Sequence, residues 1–204
     1  MAKKRRREDP DFRRSQILAA AKESFRVRGL RATPIDAIAA EADVSVGLLY
    51  RFFKSKGEIV EAIILEDVEQ QLAQVALALE HHAADPVELG QSIIDRLAQR
   101  SADPERLALM FEIAAEICRS TTLREFVRSK RTELRDELIA RFETRGLNRQ
   151  DAGRLIERLD RTSSLATGIA VHALLYTDSR DNMSAQLAMI TKIVDCSDQS
   201  HGRG

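Results

Sequence analysis

The feature that most constrains this 204-residue chain is the stretch Thr33–Lys56, TPIDAIAAEADVSVGLLYRFFKSK. Thr33 is a good N-cap and Pro34 fits the first helical position, where no N–H is needed. Asp36 stands where a capping box places its acid. Ile35, Ile38, Ala39 and Ala42 recur at helical spacing on one face. Asp43-Val44 breaks the run, and Asp tolerates the left-handed conformation that a sharp helix-to-helix turn needs. Ser45 then caps a second helix, Val46 to about Phe52, which is too short and too apolar to be stable alone. A scaffold has to hold it, with one face left free. Gly47 inside this helix costs about 1 kcal/mol relative to Ala, which points to something approaching the backbone closely. Ser45, Tyr50, Arg51, Lys54, Ser55 and Lys56 around it are donors suited to phosphate oxygens. Helix, short turn, helix and then basic residues is the helix-turn-helix pattern, whose second helix enters the DNA major groove.

The charge distribution agrees. The chain as a whole is neutral, with 32 Lys and Arg against 32 Asp and Glu. Residues 1–60 hold fourteen of the cations and eight of the acids, which leaves eighteen and twenty-four for the rest. The basic part is therefore the part with the helix-turn-helix pattern. Residues 2–9, AKKRRRED, read as a solvated basic arm, with two roles open: a plain tail, or an arm that contacts DNA. No apolar run approaches the roughly 18 residues needed to span a bilayer, and no apolar core follows the basic N-terminus as a secretory signal requires. Cys118 and Cys196 form no metal or disulfide pattern and fit a reducing, cytoplasmic setting.

The remainder reads as all-α, about nine helices in total. The first runs over 11–28, with Asp11 as cap, Phe12, Ile17, Leu18, Ala21 and Phe25 as its core stripe, and Gly29 as its left-handed end. Ser55 caps a fourth helix that keeps apolar spacing without a break to about His82. Asp85-Pro86 and Asp103-Pro104 start a fifth (to about 100) and a sixth (to about 119). Ser120-Thr121-Thr122 opens a seventh, closed by Gly146; Asn148–Asp151 opens an eighth, to about Tyr176; a ninth covers about 182–194, and 197–204 read as a frayed tail. The second half of the eighth, SSLATGIAVHALLY, is apolar almost all round and so needs cover on every side, from an internal core or from a second copy. Catalysis finds no motif: no nucleophile elbow and no phosphate-cradling glycine loop. Adjacent His81-His82 point apart on a helix and imply no metal, and Glu112 with Glu116 make a carboxylate pair lacking a second donor helix.

Phe25-x-x-Arg28-Gly29, Thr33-x-Ile35, Ile38-Ala39, Ala42-x-Val44-Ser45-x-Gly47-x-x-Tyr50, Phe53 and Lys56 together resemble the N-terminal signature of the TetR family of one-component transcriptional regulators, over residues 12 to about 60. Two positions depart from it: Asp43 replaces the usual turn Gly and brings a negative charge near the DNA, and Gly57 follows the basic pair where an acid is frequent. The resemblance implies an arm (1–10), a helix-turn-helix domain (11–56) and a ligand-binding and dimerisation domain (57–196). It implies that Val46, Gly47 and Leu48 approach base edges of double-stranded DNA while Thr33, Ser45, Tyr50, Arg51, Lys54 and Lys56 hold its backbone. It implies a homodimer through the last two helices, here Ala166, Ala170, Ala173, Leu187, Ile190 and Val194. It also implies a small-molecule inducer and no other cofactor. The inducer pocket would be lined by Ile93, Leu97, Met110, Phe111, Ala114, Phe126, Leu165 and Ile169, with Arg96, Glu112, Glu116 and His172 as polar anchors. The function expected is that of a repressor released from a palindromic operator. The alternatives are an activator of the same fold, or a helical ligand-binding or adaptor protein without a DNA role.

Overall fold

The computed structural model describes residues 9–81, 92, 93, 96 and 103–176, the side chains of 79–81 and 173–176 aside. Among these residues it is all-α, with seven helices: α1 Pro10–Arg28, α2 Ile35–Glu41, α3 Val46–Phe52, α4 Lys56–His81, α5 Pro104–Arg119, α6 Thr121–Glu143 and α7 Arg149–Tyr176. The helices expected over about 85–100 and 182–194 fall mostly outside the described residues; Ser92, Ile93 and Arg96 are helical. The basic arm, apart from Asp9, and the C-terminal tail also lie outside them.

Helix starts follow local chemistry. Asp9, not Asp11, caps α1: its side chain accepts from Asp11 N at 3.1 Å, and Pro10 takes the first helical position. Ser55 Oγ accepts from Glu58 N at 3.2 Å while Glu58 Oε2 reaches back to Lys54 N at 2.7 Å, a capping-box arrangement that starts α4. Asp103, Ser120 and Asn148 accept from Glu105, Leu123 and Asp151 N–H groups at the starts of α5, α6 and α7. Gly146 (φ 92) ends α6 as expected, with Leu147 N bonded to Phe142 O and Gly146 N to Glu143 O.

The described chain divides into two compact units. The first reaches to Asp67 and adds Ala108–Val127; the second takes Val68–Leu107 and the chain from Arg128 onward. In the first, α1, α2, α3 and the start of α4 close around Ile17, Leu18, Phe25, Ile38, Leu49 and Ile59, joined by Ile113 and Leu123. Fully burying each such side chain is worth about 1.5–3 kcal/mol, which is what a seven-residue helix like α3 needs, since its one fully buried residue is Leu49, with Phe52 partly buried against the same core and Phe53 just after it. Phe12, expected in the stripe, is 61% exposed: it lies on the first turn, beyond the reach of the core that takes Ile17 and Leu18. In the second unit Val75 and Ala78 of α4, Leu138, Ile139 and Phe142 of α6, and Ala152, Ile156 and Leu159 of α7 pack with Ile93. No helix among the described residues is long and apolar enough to cross a membrane.

Candidate nucleic-acid interface

Between α2 and α3 the chain turns within four residues. Asp43 sits at φ 49, the only non-glycine residue with positive φ among those described. Val44 N donates to Ala39 O at 2.9 Å and Asp43 N to Ala40 O at 3.1 Å, the paired bonds of a Schellman end with Asp43 at the left-handed position. Gln16 of α1 adds a bond from Nε2 to Ala42 O at 2.8 Å. Ser45 then caps α3, its Oγ accepting from Leu48 N at 3.1 Å.

With Leu49 wholly buried, the opposite side of α3 is fixed in solvent. Val46 is 38% and Tyr50 48% exposed; Ser45, Gly47, Arg51 and Lys54 are exposed too, and Leu48 is half-buried. A Cβ placed on Gly47 would meet nothing within 4 Å. No neighbour inside the protein therefore requires glycine there. Behind the helix, the guanidinium of Arg14 lies 5.2 Å from the centre of the Phe53 ring, a cation–π contact.

Two residues expected at the DNA backbone have other partners. The Thr33 side chain is completely buried, and its hydroxyl lies 2.7 Å from Gly29 O and 3.1 Å from Ser24 O. It neither caps α2, whose N-cap is Pro34 without a side-chain bond, nor has a hydroxyl to offer a phosphate. Lys56 Nζ donates to Leu30 O, Thr33 O and Arg31 O at 3.0, 2.8 and 3.3 Å. Its ammonium is committed to the α1–α2 loop. The reason is geometric: at the start of α4, Lys56 faces a loop whose carbonyls have no strand or helix to bond.

The same loop claims the acids expected as pocket anchors. Glu112 Oε2 accepts from Leu30 N at 2.8 Å, and Glu116 Oε2 pairs with Arg31 Nε at 3.4 Å and Arg119 Nη1 at 3.6 Å. A cleft of about 510 Å³ opens beside this contact, lined among others by Leu30, Lys56, Val60, Glu116 and Leu123. The residues expected to line an inducer pocket are divided between the units. Met110, Phe111, Ala114 and Phe126 belong to the first, with Phe111 45% exposed and Phe126 packed on its core; Arg96, Leu165, Ile169 and His172 belong to the second, with Leu165 and His172 exposed and Arg96 donating to Gln74. Leu97 lies outside the described residues.

Of the expected dimer residues, Ala166 and Ala170 are buried within the single chain, at 0% and 1% exposure. The exposed large apolar side chain of that segment is Leu165. An apolar segment reads from sequence as needing cover, and here its small residues already have it. The side chain of Ala173 and residues Leu187, Ile190 and Val194 lie outside the described part of the chain.

A buried hairpin that leaves one face of a short second helix in solvent defines a helix-turn-helix protein. The family model for bacterial regulatory proteins of the tetR family matches residues 17–63, the stretch that holds the helix-turn-helix. Among curated relatives it is 32% identical over 104 residues to the HTH-type transcriptional repressor SCO4008 of Streptomyces coelicolor, spanning 50% of each chain. It is 42% identical over 69 residues to the HTH-type transcriptional activator FasR of Mycolicibacterium smegmatis, covering 34% of this chain and 32% of that one. The chain thus spans half or less of these two relatives. It shares its fold with Salmonella enterica GusR at a TM-score of 0.66 and 24% identity, over 93% of this chain and 99% of that one.

Proposed function

We propose that this protein is a transcriptional repressor that binds a palindromic duplex operator as a homodimer, one half-site per subunit, and leaves it when a small molecule binds. The observation that carries the DNA part is the free face of α3. There Leu49 fixes the helix on the core, Gly47 has open space around it, and Val46, Tyr50, Arg51 and Lys54 stand in solvent. Val46, Gly47 and Leu48 are the residues that approach base edges, and Ser45, Tyr50, Arg51 and Lys54 those that hold phosphates. Thr33 and Lys56 act from behind, through the loop. The SCO4008 relative supports repression; the FasR relative supports activation by the same fold as the second reading. For the dimer and the inducer the support is the family resemblance.

The test is Gly47→Ala. A helical Gly→Ala change with open space around the new methyl raises stability, by about 0.5–1 kcal/mol. The same methyl obstructs close approach to DNA, so affinity falls for a duplex selected by the wild-type protein from a random library. Higher melting temperature with weaker binding is the expected pair of results. Unchanged affinity in the more stable variant removes Gly47 from the interface. A selection that enriches no duplex removes the DNA reading itself. In a reporter strain, deletion of the gene raises expression from the selected site for a repressor and lowers it for an activator.

A further inference from the structure

We infer that Glu112, on α5, is a positioning residue for DNA binding: it holds the α1–α2 loop, and through it α2 and α3, in the binding geometry. The inference rests on the DNA-binding reading above.

The loop Gly29–Thr33 is where α2 and α3 are hung from α1. Its backbone begins at Gly29 with φ 81 and ψ 148, a region open to glycine alone. Leu30 is only 5% exposed, and its side chain is part of the core beneath α2 and α3, so its N–H must find a partner within the protein. That partner is Glu112, 82 residues further along the chain, at 2.8 Å. The fit is close: a Cβ on Gly29 would stand 3.3 Å from the same Oε2. Lys56 takes the carbonyl of Leu30 and Glu112 takes its N–H, so one peptide segment is held from both sides. One turn further along α5, Glu116 pairs with Arg31.

These contacts leave the exposed face of α3 untouched. Without Glu112 the Leu30 N–H is left buried and unpaired, and the loop gains by turning it toward water. Because Leu30 belongs to the core on which Leu49 sits, that turn shifts the seat of α3 relative to α1. Operator binding needs several base contacts at once and is sensitive to such a shift, whereas phosphate contacts on any sequence adapt to it.

The experiment compares wild-type full-length protein with Glu112→Ala and Glu112→Gln, well below their melting temperatures. Affinity is measured for the selected duplex and for a scrambled duplex of equal length, and amide exchange is followed at Leu30. Glu112→Ala is expected to lose roughly tenfold or more in selected-duplex affinity, the scale of one lost charged hydrogen bond. Its scrambled-duplex affinity should change less than about threefold, since phosphate contacts dominate there, and Leu30 exchange should quicken. Glu112→Gln keeps an acceptor and should recover most of the loss. If the alanine variant does not fold, Glu112→Asp, which keeps the charge but falls short of Leu30, is expected to show the same pattern. A lowered melting temperature with an unchanged selected-to-scrambled ratio would overturn the inference, as would a glutamine variant as weak as alanine. Failure of the wild-type protein to prefer any duplex is a different outcome, which sinks the DNA reading while Leu30 exchange still reports on the contact.

Discussion

The two connections on either side of α2 are built in opposite ways. The α2–α3 turn is local: its two bonds join residues three and five apart, and its outside support among the described residues is Gln16. The α1–α2 loop is held from a distance. Its Leu30 and Arg31 carbonyls go to Lys56, Thr33 O goes to the same ammonium, Gly29 O goes to the Thr33 hydroxyl, and Leu30 N goes to Glu112. The first kind of connection sets an angle between two helices. The second ties that pair of helices to elements that arrive much later in the chain. A helix-turn-helix needs both, because a rigid hairpin on a loose hinge would not hold the exposed face of its second helix in a fixed register.

The largest effect should come from breaking the distant connection at its busiest point. Lys56→Met keeps the stem but removes three donors, leaving the loop carbonyls short of partners. We expect a loss of about 3 kcal/mol in urea unfolding. A loss under about 0.5 kcal/mol would mean that water replaces the ammonium and the loop is held mainly by its apolar contacts. Thr33→Val, matched in shape, deletes only the hydroxyl and should cost about 1–2 kcal/mol by the same measurement. A double variant that costs no more than Lys56→Met alone would show that Lys56 and Thr33 act as one unit.

The local connection should respond least, and with the opposite sign. A residue other than glycine in the left-handed region costs about 1–2 kcal/mol, part of which Asp43→Gly returns as loop entropy in the unfolded chain. The net expected gain is about 0.5–1 kcal/mol. On the proposed function, removing an exposed carboxylate beside α3 should also strengthen duplex binding, more so at low salt. Weaker binding by the glycine variant would mean that Asp43 contacts the DNA.

The same contrast explains what is legible in the sequence. The turn at Asp43, the caps at Ser45, Ser55, Ser120 and Asn148, and the end at Gly146 all depend on neighbours within five residues, and each stands as read. Glu58 is equally readable as the fourth member of Ser55-x-x-Glu58. Thr33 and Lys56 mislead because their types suit both a phosphate and a buried carbonyl, and their partners lie up to 26 residues away. Glu112 resembles half of a carboxylate pair because nothing near it in sequence announces Leu30. For Ala166 and Ala170, periodicity marks an apolar face without saying what covers it.

Lys54 and Lys56 stand two residues apart, one exposed and the other half-buried with its amine on three oxygens. To an amine-directed acylating reagent they are therefore unequal targets. Lys54 is attacked as any surface lysine is, but Lys56 only after it lets go of the loop. The pair forms an internal clock: the ratio of the two labelling rates reads how often the hinge of the helix-turn-helix opens, with the neighbouring lysine as its own reference.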